Sequence, residues 1–213
     1  MNGREKMHYK VKRKKMVERL ISMGITNNDL LEVMGKIPRD LFVAQGLEGQ
    51  AYDEKALPIG FGQTISHPYT VALMTQALEV KYGQKILEIG TGSGYQAAVL
   101  CELGAQVFTI ERIAEIGKTA EKRLKAMNYH FVSRIGNGAF GWQTYAPYDA
   151  IIVTAGAPVL PGNLLKQLRL SGKMIIPIGG NKGQILTLFE KIGENNYREK
   201  EIGNLKFVPF IGV

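Results

Sequence analysis

Between Lys85 and Ile178 the chain alternates short apolar runs with longer stretches whose apolar positions recur at helical spacing. Strands are expected at 85–89, 106–110, 131–135, 149–154 and 173–178, and helices at about 95–103, 113–127 and 161–169. Such alternation predicts a parallel sheet covered by helices on both faces. Two further strands, about 184–190 and 201–210, flank the turn Gly193-Glu194-Asn195-Asn196. That connection is too short for a crossover, so the last pair is antiparallel. Ahead of the sheet, Met16, Val17, Leu20 and Ile21 mark a helix over about 10–23, with Gly24 as its stop. Asn27 or Asn28 can cap a second helix, 29–35, that ends before Pro38, and a third is expected around 39–45. The fold class is α/β, a doubly wound, mostly parallel sheet of seven strands behind a helical cap. Residues 1–213 read as one domain, with the cap over 1–55 and a loop plus α/β core over 56–213.

Composition narrows the setting. No apolar run is long enough to cross a membrane, and the basic N-terminus leads into no apolar stretch of a secretory type. Cys101 is the single cysteine, so no internal disulfide can form, and a reducing cytoplasm is the expected location. The net charge of +8 first suggests a nucleic-acid partner, but residues 1–20 carry +6 of it and the remaining 193 only +2. The basicity belongs to one helix, whose expected role is a solvated face, and nucleic acid is not the expected partner.

The chemistry begins where the first parallel strand ends, at Glu88-Ile89-Gly90-Thr91-Gly92-Ser93-Gly94, with a helix opening at Tyr95. Glycines there permit a sharp turn and close approach of a ligand to N–H groups at a helix start. A dinucleotide fingerprint would place its third glycine at Tyr95, and a P-loop would need a Lys-Ser/Thr pair after the glycines. Glu88 suits a ligand carrying a cationic amino group and disfavours a pyrophosphate. The next strand ends at Glu111, about twenty residues on, where an acid of a doubly wound fold accepts hydrogen bonds from ribose hydroxyls. His8, His67 and His130 form no metal or triad spacing.

This glycine pattern resembles the first motif of class I S-adenosylmethionine-dependent methyltransferases, whose Rossmann-like sheet also has seven strands. A second resemblance is more specific. Leu57-Pro58-Ile59-Gly60-Phe61-Gly62-Gln63-Thr64-Ile65-Ser66 is similar to the signature of protein-L-isoaspartate O-methyltransferases. Pro38-Arg39-Asp40-Leu41-Phe42-Val43, Gly141-Trp142, the run from Ala146 to Ala155 and Phe207-Val208-Pro209-Phe210 match as well. The resemblance implies methyl transfer from S-adenosylmethionine, leaving S-adenosylhomocysteine, to the α-carboxylate of isoaspartyl residues in damaged proteins and peptides, by a monomer.

It also implies roles. Gln63, Thr64, Ile65 and Ser66 would close over the cofactor, with Ser66 at the methyl-transfer site. Glu88, Gly90, Thr91, Gly92, Ser93 and Gly94 would cradle the methionine end, Glu111 and Arg112 the ribose side, and Asn137-Gly138 the adenine. Ile59, Gly60, Phe61, Thr64, Ser66 and Val208 would meet the substrate. No metal is expected. Two positions depart from the family pattern: Asn137 stands where an aspartate is usual, and His67 follows Ser66 where small or amide residues are commoner. The segment 56–68 itself reads as an ordered loop, with Ser66 or His67 capping the next helix. Two alternatives remain, an RNA base methyltransferase and a catalytically silent binding module. The first lacks the Asn/Asp-Pro-Pro-Tyr/Phe motif of amine methylation, having Thr154-Ala155-Gly156-Ala157-Pro158 instead.

Overall fold

Two helices, α1 (Gly3–Ser22) and α2 (Asn28–Lys36), open the chain in the computed structural model, which describes residues 3–180 and 183–210 and side chains from Met7 onward. Arg4 and Lys6, counted in the basic tally, lie outside the described side chains. Asn27 is the cap of α2, its side chain accepting from Leu30 N–H at 2.9 Å. The expected third helix shrinks to 3-10 turns at Arg39–Phe42 and Glu48–Gln50. The basic face of α1 is only partly solvated. Lys12 Nζ donates to the Gly49 carbonyl, Arg13 Nη1 donates to the Lys36 carbonyl at 2.6 Å, and Arg19 pairs with Glu54. Much of the basicity is therefore spent on tying α1 to the cap.

The expected loop over 56–68 is instead a small antiparallel hairpin, β1 (Leu57–Gly60) and β2 (Gln63–Ile65). Its tip runs through left-handed Gly60, Phe61 and Gly62, with φ of 96°, 52° and 69°. Glycine adopts that conformation freely; Phe61 does so against its Cβ, and its ring is 63% exposed. Helix α3 (Pro68–Leu78) follows directly.

The main sheet then forms from β3 (Lys85–Ile89), β4 (Gln106–Glu111), β5 (Phe131–Ile135), β6 (Tyr148–Val153), β7 (Leu168–Ile178), β8 (Gln184–Gly193) and β9 (Asn196–Leu205). Helices α4 (Tyr95–Glu102), α5 (Ala114–Ala126) and α6 (Gly162–Lys166) connect its parallel part. The strand order is β5-β4-β3-β6-β7-β8-β9, parallel from β5 to β7 and antiparallel in the last two pairings. Alternation sorts each strand between two cores: Ile86, Val107 and Ile152 face the cap, α3 and α4, while Leu87, Phe108 and Ile151 pack on the opposite side. Cap residues Met16, Leu20, Leu30 and Met34 share the first core with Val71, Met74 and Leu78 of α3.

Three boundaries differ from expectation. Helix α6 is only five residues long, and β7 begins before Ser171-Gly172. The final strand ends at Leu205, so 207–210 is not strand; Pro209 instead makes a lone parallel bridge to Gly156. Pro209 lacks the N–H that a ladder position requires.

Candidate active site

The chain reverses direction across the sheet at β3, leaving β4 on one side and β6 on the other. A crevice opens at such a switch point, beyond the strand C-termini. Counting the part open to solvent, it encloses about 820 Å³ of empty space.

Its floor comes from three strand ends. After β3, Gly90 takes φ 94°, and a Cβ there would sit 2.4 Å from Thr154 Oγ1. That hydroxyl follows β6 and donates to the Gly90 and Ile89 carbonyls. The turn therefore needs glycine for conformation and for space. Glu111 ends β4, 8% exposed, with Oε2 accepting from Gly92 N–H at 2.9 Å and Oε1 from Ile113 N–H at 3.0 Å. A carboxylate has about four acceptor positions, so two remain for a vicinal diol. Gly90, Thr91, Gly92, Ser93, Glu111, Arg112 and Gly138 all line the crevice.

Glu88 does not. It is fully buried beneath the turn, and Thr109 Oγ1 donates to its Oε2 at 2.6 Å. Thr109 Oγ1 also lies 2.6 Å from Thr91 Oγ1, so the two hydroxyls share a hydrogen bond. The hydroxyl chain thus runs from crevice-lining Thr91 to the buried carboxyl. Burial pushes the Glu88 carboxyl up to about 8, and the charge on Glu111 adds to the rise. The expected bare carboxylate facing an ammonium group is replaced by a protonated acid reached through two threonines.

The roof is the hairpin. Gln63, Thr64, Ile65 and Ser66 line the crevice from above. His67 caps α3, with Nδ1 accepting from Tyr69 N–H at 2.9 Å. Burial and the nearby Arg39 charge lower the His67 pKa and so preserve that acceptor. The Ser66 hydroxyl is thereby released from capping and bonds to no other described residue. Behind it, Arg39 Nη2 donates to the Ser66 carbonyl at 2.6 Å.

The remaining expected residues lie elsewhere. Ile59 and Phe61 line a smaller cleft of about 460 Å³ with Phe42, Gly92, Ser93 and Arg123, and Gly60 lines neither. Gly94 starts α4 and packs under Leu124. The Asn137 side chain accepts from Ala139 N–H at 3.0 Å and is not among the lining residues, whereas Gly138 is, packed so closely that a Cβ would fall 2.3 Å from Ile89 Cγ2. Val208 lines the crevice beside Pro209 and Phe210, its carbonyl accepting from Gly156 N–H. The sequence reading assigned no site role to Tyr95, Gln96 and Thr154. Gln96 carried a signal, a polar side chain inside the apolar run of α4, where it donates to Thr75 Oγ1.

A family model for protein-L-isoaspartate (D-aspartate) O-methyltransferases matches residues 11–213. The chain belongs to that family. A Dictyoglomus thermophilum protein-L-isoaspartate O-methyltransferase is 49% identical over 205 residues, covering 96% of this chain and 93% of its own. The Syntrophus aciditrophicus protein of the same name is 47% identical over 208 residues, covering 96% and 95%. Among solved structures, a Plasmodium falciparum beta-aspartate methyltransferase (PCMT) in complex with S-adenosyl-L-homocysteine superimposes with a TM-score of 0.80. It is 24% identical and covers 93% of this chain and 97% of its own, a likeness of fold. Family membership and the crevice agree on a seven-stranded S-adenosylmethionine-dependent methyltransferase.

Proposed function

We propose that this chain repairs damaged proteins by methylating the α-carboxylate of L-isoaspartyl residues. One observation carries the reading: Ser66 offers an uncommitted hydroxyl in a crevice whose lining contains no histidine, lysine or cysteine and whose one carboxylate, Glu111, already accepts from two backbone N–H groups. A nucleophile that required deprotonation would need a base there. An isoaspartyl carboxylate, with a pKa of about 4 by the aspartate reference, is already ionised at neutral pH.

S-adenosylmethionine supplies an electrophilic methyl group; a carboxylate oxygen takes it while the carbon–sulfur electron pair stays on sulfur. The protein aligns the reactants. Glu111 has acceptor positions left for the ribose hydroxyls, and the Gly90–Gly94 turn allows the methionine end to approach the backbone. Thr91 would accept from the amino group, with Glu88 completing its hydroxyl chain. Ser66 holds the carboxylate by one hydrogen bond, while the hairpin excludes water that would otherwise stabilise the anion. Arg112 and Gly138 border the nucleoside end, and Val208 borders the substrate side.

The test is methyl transfer to an isoaspartyl peptide beside an aspartyl control and bulk RNA. Isoaspartyl-specific incorporation is expected, with the label released as methanol at mildly alkaline pH as the ester collapses to a succinimide. Alkali-stable methyl groups on RNA would overturn the reading.

A further inference from the structure

Arg39 is the most completely buried cation among the described residues, with no exposed surface, yet no carboxylate among them pairs with it. Its neighbour Asp40 is engaged by Tyr52 and Arg13 instead. Arg39 Nε donates to the Ala51 carbonyl at 2.7 Å, Nη2 donates to the Ser66 carbonyl at 2.6 Å, and Nη1 has no partner. The guanidinium carbon lies 4.6 Å from the centroid of Tyr95, a crevice-lining ring. A buried cation is ordinarily neutralised by an anion, and one left unneutralised favours any anion brought close to it.

We propose that Arg39 is a positioning residue for methyl transfer: it fixes the Ser66 peptide, and its unneutralised charge draws the substrate carboxylate to the Ser66 hydroxyl. Carbonyl dipoles and an aromatic face hold the guanidinium without cancelling its charge. Burial lowers its pKa only to about 10, so it stays charged at neutral pH. The titratable groups around it are Tyr95, Tyr52 and His67, with Glu54 and Arg19 beyond His67. All three neighbours are neutral at pH 7, the tyrosines because burial raises their pKa and His67 because burial lowers its own. The inference rests on the reading of Ser66 given above.

Two variants separate charge from shape. Arg39→Gln keeps donors for the two carbonyls and loses the charge; Arg39→Lys keeps the charge and loses the fork. With an isoaspartyl peptide, Arg39→Gln is expected to lower kcat about 30–100-fold, the order of losing one charged interaction with the substrate carboxylate. S-adenosylhomocysteine affinity, by calorimetry, should stay within about threefold, because the hydrogen bonds of Arg39 go to Ala51 and to the roof at Ser66 and none reaches the floor. The acid limb of kcat should move up by about one pH unit in Arg39→Gln and stay in place in Arg39→Lys, since a nearby cation lowers a carboxylate pKa. Arg39→Lys should recover about tenfold of the lost kcat. An unmoved acid limb in Arg39→Gln, an equal loss in both variants, or a loss matched by weaker S-adenosylhomocysteine binding would overturn the inference. A wild-type enzyme inactive on the isoaspartyl peptide would instead overturn the proposed function. Thermal melts of each variant keep misfolding apart from both.

Discussion

The floor and the roof of the crevice are built on opposite plans. The floor consists of strand ends fixed by the sheet, where backbone N–H groups and one carboxylate line the crevice, and where Gly90 and Gly138 have no room for a Cβ. The roof is a two-stranded hairpin outside the sheet, with a left-handed phenylalanine at its exposed tip. It is anchored by one side chain reaching 27 positions along the chain, from Arg39 to Ser66. Under the proposed function the difference is a division of labour, in which the floor binds and the roof aligns. Each also hides an ionisable group. Glu88 under the floor sheds its charge by keeping a proton, whereas Arg39 behind the roof has no such escape near neutral pH and bonds to dipoles instead.

The sharpest attempt to break this comparison is Gly90→Ala. The left-handed φ and the 2.4 Å approach to Thr154 together cost about 3–5 kcal/mol. S-adenosylhomocysteine affinity should fall more than about a hundredfold by calorimetry; a variant that binds normally would refute the steric account of the floor.

Glu88→Gln tests the hidden acid. With its carboxyl raised from 4.5 to about 8, the folded state keeps a proton that the unfolded state releases. Its contribution is therefore fully present below pH 4.5 and lost as pH rises through 8. Thermal melts of the wild type should show stability falling across that window, and Glu88→Gln should remove about 5 kcal/mol of the fall. Parallel curves for the two proteins would mean that Glu88 is ionised.

Ser66→Ala probes the roof. Losing one hydrogen bond to a charged partner should slow kcat roughly tenfold to a hundredfold, with cofactor affinity unchanged. Loss of many more decades would make the hydroxyl a chemical participant, and a loss in affinity would merge roof with floor. The smallest effect belongs to Asn137, whose side chain caps Ala139 outside the crevice lining: Asn137→Asp keeps that acceptor and should leave cofactor affinity within about threefold.

The floor was legible because its demands are local. A glycine at Gly90, a helix opening at Tyr95 and an acid at Glu111 stand at spacings that the backbone of a doubly wound fold imposes. The succession of five parallel strands and an antiparallel final pair followed from the same alternation, whereas the order of the strands across the sheet came only with the structure. The roof was legible only through resemblance to a family, because alternation in Leu57–Ile65 is interrupted by Pro58 and three left-handed residues. What stayed hidden depends on long-range partners. Nothing near Arg39 in the sequence points to Ser66, and nothing near Glu88 shows that Thr109 and Thr91 stand between it and the crevice. The choice of His67 over Ser66 as the cap was equally invisible, since both residue types accept an N–H. The short α6 was missed because Leu168 pairs with Tyr148 at the start of β7, a partner twenty positions away in the chain.

Asn137 bears on how this protein ages. It precedes Gly138, and a following glycine leaves the backbone nitrogen unhindered to attack the side-chain amide, expelling ammonia and forming a succinimide that water opens to aspartate or isoaspartate. Closing that ring requires the Cα–Cβ bond to eclipse the next peptide bond. Here ψ is 115° in extended backbone, and the amide oxygen is committed to Ala139 N–H. The cap therefore works as a chemical preservative: the repairer's own adenine rim is kept from becoming a lesion for as long as the fold holds. Peptide mass mapping after prolonged incubation should find Asn137 intact while Asn2, which precedes Gly3 and lies outside the described residues, deamidates. The same incubation in denaturant should convert both.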